Sequence, residues 1–106
     1  MHHKTNSFIR QIMITYSHKG KKSLYKKKQM KRLISILDDI FSHEGIQQLS
    51  IVGRKQLIGY WRRTEHEKYE TRRAKYCILY RFFSLYNPQV TVPEPKKCEV
   101  DLKFKA

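Results

Sequence analysis

The chain has 106 residues, of which 23 are lysine or arginine and 9 are aspartate or glutamate, for a formal net charge of +14. That length supports one domain with one modest core, and the charge makes a polyanion the expected partner. No apolar run approaches the roughly 20 residues that cross a bilayer, and the N-terminus lacks signal-peptide architecture, so a soluble, cytoplasmic protein without a membrane partner is expected.

Residues 1–32 hold ten basic residues and no acid, the first carboxylate being Asp38. Phe8, Ile9, Ile12, Met13 and Tyr16 interrupt this basic block at helical spacing, which predicts a first helix from about Asn6 to Tyr16, capped by Thr5 or Asn6. His18-Lys19-Gly20 then breaks it. Ser23 is a candidate N-cap for a second helix running to about His43, with Gly45 as a left-handed stop. Met30, Leu33, Ile34, Leu37, Ile40 and Phe41 repeat at three and four and form its core face. Lys26, Lys27, Lys28, Lys31 and Arg32 crowd its N-terminal half and Asp38 and Asp39 the other, the reverse of what the helix macrodipole favours.

Ile46 to Val52 reads as a connector whose Leu49 and Ile51 plug the core, and Gly53 permits the turn into a third helix from about Arg54 to Arg63. Leu57, Ile58, Tyr60 and Trp61 supply its buried side; Trp61, beside Leu57 and Ile58, is read as core rather than as a base-stacking platform. The acidic stretch from Glu65 to Glu70 is a loop leading to Thr71, the expected cap of a fourth helix through Tyr86. Ala74, Ile78, Phe82 and Leu85, joined by Cys77 and Phe83, mark the expected apolar stripe of that helix. Arg72, Arg73, Lys75 and Tyr76 crowd its first turns, again where the dipole disfavours cations. From Asn87 onward Pro88, Pro93 and Pro95 forbid helix, so 1–87 is expected to be the helical domain and 88–106 an extended linker or arm, with Val100, Leu102 and Phe104 alternating like an edge strand.

No catalytic constellation is visible: no glycine-rich phosphate loop with its lysine, no histidine pair at metal spacing, no serine or cysteine beside a base. Glu65, Glu67 and Glu70 are read as loop solvation and helix N-terminal charge. Cys77 and Cys98 are read as two reduced thiols. No cofactor, metal or small-molecule substrate is expected.

The order of parts resembles the N-terminal core-binding domain of tyrosine recombinases and phage-type integrases over about Asn6 to Lys97. The residues that carry the resemblance are the long helix around MKRLISILDDIF, the Thr71-Arg72-Arg73 opening, the Leu79-Tyr80-Arg81-Phe82-Phe83 interior and the proline-containing exit from Pro88 to Pro95. The resemblance implies an all-α, compact four-helix SAM-like bundle with an extended C-terminal arm, clamping one side of a DNA duplex in a nucleoid-associated protein of a bacterium or phage. In that family a separate C-terminal domain carries the arginines, histidines and nucleophilic tyrosine that cut and rejoin strands. Nothing in these 106 residues matches them, so no enzymatic activity is expected of this chain. It would be either one domain of a larger recombinase or a free-standing accessory factor of a mobile element.

The mechanism that follows from the residues agrees with the double-stranded DNA that the resemblance implies, with self-association on it as a second partner expectation. The expected contacts are Ser23, Lys26, Lys27, Lys31, Thr71, Arg72, Arg73, Lys75 and Tyr76. The lysines are expected to neutralise phosphates, and Arg72 or Arg73 to read guanine through two parallel hydrogen bonds. RNA or single strands, and an acidic protein partner, are the competing readings.

Overall fold

A computed structural model describes residues 3–14 and 23–95 and, among them, shows an all-α bundle. Among the described residues, the helices are α1 (His3–Ile12), α2 (Ser23–Glu44), α3 (Arg54–Arg63) and α4 (Tyr69–Tyr86), with a 3-10 turn at Leu49–Ile51. The boundaries of α2 and α3 fall where local chemistry puts them. Gly45 ends α2 at φ 64°, the left-handed conformation that lacks a steric penalty only without a Cβ. Gly53 starts α3, and its amide donates to Gln56 Oε1 at 2.9 Å, which satisfies one orphan donor of the first turn.

Both other helices begin earlier than expected. In α1, Asn6 lies within the helix rather than capping it, and its Oδ1 accepts from Arg10 Nε at 2.8 Å one turn on. Tyr16 and the Lys19-Gly20 break lie outside the described residues. Lys68, not Thr71, caps α4, whose first closing bond runs from the Arg72 amide to the Lys68 carbonyl at 3.1 Å.

Ile9 of α1 and Met13 just after it, the expected stripe of α2 together with Ile36, Leu57, Tyr60 and Trp61 from α3, and Ile78, Leu79, Phe82 and Phe83 from α4 make one continuous core. Leu49 plugs it as expected, whereas Ile51 turns half out to solvent. Rings bind α1 to the end of α4: Phe8 meets Tyr86 edge-on at 6.0 Å between centroids, and Tyr86 stacks on Phe82 at 5.4 Å.

The stripe expected on α4 is rotated. Leu85 and Cys77 face solvent, while Leu79 and Arg72 are buried. The chain after α4 is no free linker at its start. Val92 and Pro95 are buried, and Trp61 Nε1 donates to the Pro93 carbonyl at 2.8 Å, which fastens 88–95 against α3. The alternating residues from Val100 to Phe104 lie outside the described residues.

Candidate nucleic-acid interface

Helix α2 turns Lys27, Lys28 and Lys31 outward, and Lys26 and Arg32 occupy its half-buried flanks. At 100° per residue the three exposed lysines share one face opposite Leu33, Leu37 and Ile40. No carboxylate precedes Asp38 in the chain, so none lies within the N-terminal half of the helix. Ser23 opens the helix, but its side chain lies outside the described residues.

The expected contacts on α4 do not join this face as a group. Arg72 is 3 % exposed: its Nη2 donates to the Trp61 carbonyl at 2.7 Å, and its guanidinium lies 5.7 Å from the indole centroid. It is a clamp between α3 and α4 and has no access to a phosphate or a base edge. Lys75, 15 % exposed at its side chain, donates from Nζ to Tyr60 Oη at 2.8 Å and to both Glu67 oxygens at 2.8 and 3.0 Å. Burial pulls the Lys75 ammonium down, but the hydrogen bonds to Glu67 and Tyr60 outweigh it and leave the group above its ordinary value. Burial likewise raises the Tyr60 phenol, against the lowering pull of Lys75. The cation is therefore charged, neutralised by Glu67 and directed inward, so Lys75 is also withdrawn from any DNA surface.

Thr71 is half-buried in the first turn of α4 and not at its cap. Arg73 is half exposed, lies 5.4 Å from the Tyr76 ring centroid and pairs with Glu94 at 3.6 Å. Tyr76 packs partly against the core.

Phase explains the split. On α4, Arg72 and Lys75 share the side of Leu79, Phe82 and Phe83, whereas Arg73, Cys77, Tyr80 and Ser84 recur at four, three and four along the opposite, outer side. Of the α2 cations, Lys26 borders the middle of α4. Tyr25, Lys26 and Gln29 of α2 and Cys77, Ile78 and Arg81 of α4 line a groove of about 200 Å³. Tyr76, Cys77, Tyr80, Arg81, Ser84 and Leu85 line a wider depression of about 530 Å³ that shares Cys77 and Arg81 with it. Residue-by-residue reading of the chain missed Tyr25, Gln29, Tyr80 and Arg81. The outer stripe of α4 was a visible signal for Tyr80, masked because a tyrosine suits a core equally well.

Along the flank of α2 a short polar chain orders the rim. Gln29 is buried, its amide donates to Tyr25 Oη at 3.3 Å, and Arg32 Nη1 donates to Gln29 Oε1. A second basic patch, Arg54, Lys55 and Arg62 on α3, surrounds a depression of about 590 Å³ that also contains Glu44, itself bound by Arg63 at 2.7 Å. Among the described residues no group of three histidines, cysteines or carboxylates is placed to hold a metal ion, and no helix is long and apolar enough to cross a membrane. No family model, curated protein or solved structure matches the chain.

Proposed function

We propose that this chain is a non-catalytic DNA-binding module that lays the N-terminal half of α2 against the phosphates of a duplex. One observation carries the reading: Lys27, Lys28 and Lys31 project together from one helix face, with Lys26 and Arg32 on its flanks. Cations gathered at the positive end of a helix dipole oppose helix stability, and an anionic ligand removes that opposition. The finer reading, a core-binding domain of a tyrosine recombinase, rests on the resemblance over Asn6 to Lys97 and now on a smaller contact set, because Arg72 and Lys75 are engaged internally.

The test is a fluorescence-anisotropy salt titration of a labelled duplex with wild type and with Lys27→Gln/Lys28→Gln/Lys31→Gln. Each lost phosphate contact lowers the log–log salt slope by about 0.9, so a fall of up to about 2.7 is expected. An unchanged slope removes this face from the interface. A competing reading, an acidic protein partner, draws on Leu24 and Leu85, which lie exposed on the surface of α2 and α4. It requires negligible duplex binding at physiological salt.

A further inference from the structure

We infer that the groove between α2 and α4 holds unpaired nucleobases, so that the protein engages a single strand beside the duplex it grips with its lysines. The inference rests on the reading that α2 meets phosphates, and adds a second ligand form at an adjoining surface. Three observations carry it. First, Tyr25 and Tyr80 are 55 % and 57 % exposed although aromatic, and each borders one of two depressions that share Cys77 and Arg81. Second, the rings are braced rather than loose. The Tyr25 hydroxyl accepts from the buried Gln29 amide, which Arg32 holds in turn, and Tyr80 lies 6.0 Å from the Tyr76 ring centroid at 41°. Third, the described residues of the lining include Lys26 and Arg81 and no carboxylate, and Glu94, whose charge acts on Tyr76, is paired with Arg73.

Half-exposed rings that share depressions with cations are the chemistry of a single-strand platform: a base stacks on each ring face while the basic groups follow the backbone. Duplex bases cannot use such a surface, because their faces are already stacked on one another. A polyanion is favoured over an apolar partner by the cationic lining, and an unpaired strand over a duplex by the exposed ring faces.

Cys77, exposed and common to both depressions, is a built-in reporter. In a Cys98→Ser background, alkylation of Cys77 by a maleimide is followed with an oligothymidylate, with a blunt duplex, or with neither. The oligothymidylate is expected to slow the reaction in proportion to occupancy, and the duplex to leave it nearly unchanged. Tyr25→Ala and Tyr80→Ala, both surface substitutions checked for folding by circular dichroism, are expected to weaken oligothymidylate binding by about 5- to 100-fold each. Tyr80→Phe, which keeps the ring, is expected to retain affinity, and duplex affinity is expected to survive all three changes. The inference is overturned by an oligothymidylate that fails to bind or to protect Cys77, by equal protection from duplex, or by tyrosine variants that lose both ligands alike. Failure of the duplex reading shows separately, as a salt slope insensitive to Lys27, Lys28 and Lys31.

Discussion

Replacing Arg72 with alanine separates the two jobs an arginine at the start of α4 can have. A phosphate anchor, once removed, leaves the fold intact and lowers the salt slope of duplex binding by about 0.9. A clamp does the opposite. Arg72 is 3 % exposed, bonds the Trp61 carbonyl at 2.7 Å and faces the indole at 5.7 Å. A hydrogen bond from a charged donor contributes about 1.5–3 kcal/mol, and a desolvated cation–π contact up to about 2 kcal/mol. Because the two share one guanidinium they do not add fully, and a loss of about 2–4 kcal/mol is expected. At about 6 °C per kcal/mol for a domain of this size, the melting temperature should fall by roughly 10–25 °C. Thermal melts followed by circular dichroism measure this, with anisotropy titrations run well below the lowered transition. Arg72→Lys should fall between, since an ammonium keeps the charge but lacks the planar fork. An unchanged melting temperature with a reduced salt slope would refute the clamp and return Arg72 to the DNA surface.

Three further outcomes are open to direct measurement. Gly45→Ala should cost about 1–2 kcal/mol in urea unfolding, because φ 64° is strained for a residue with a Cβ even though open space surrounds it, and Gly45→Asn should cost less. Tyr60 and Lys75 both titrate above their ordinary values of 10.0 and 10.5 when folded. The stability they contribute is complete below those values and is lost as pH rises through the folded ones. Tyr60→Phe should therefore lower stability at pH 7 yet flatten its decline above about pH 10; a decline as steep as wild type would refute the coupling. Trp61→Phe removes the 2.8 Å bond to Pro93, at a cost of about 1 kcal/mol, and should expose 88–95 to faster hydrogen exchange while α2 keeps its protection. Equal acceleration in both segments would mean that Trp61 supports the core and not the arm.

Local chemistry by itself determined the second and third helices and the last turn of the fourth. Gly45 and Gly53 act within a residue or two, Pro88 prevents α4 from continuing, and the stripe of α2 is apolar on one side only, so its phase has one solution. The lysine face of α2 follows from that same phase. Only the tertiary structure decided the phase of α4, whose middle carries Tyr76, Ile78, Leu79, Tyr80, Phe82, Phe83 and Leu85 almost all the way round. Many burials of that helix are nearly equivalent in apolar area, and the choice falls to its neighbours. Trp61 and Tyr60 of α3 supply a carbonyl and a hydroxyl that Arg72 and Lys75 can bond, and satisfying those polar groups turns both cations inward and Cys77, Tyr80 and Arg81 outward. A cation's place in the chain says that it carries charge. Whether that charge meets a ligand or the protein's own carbonyl depends on partners 8 to 15 residues away, such as Glu67 and Tyr60 for Lys75, which no local pattern contains.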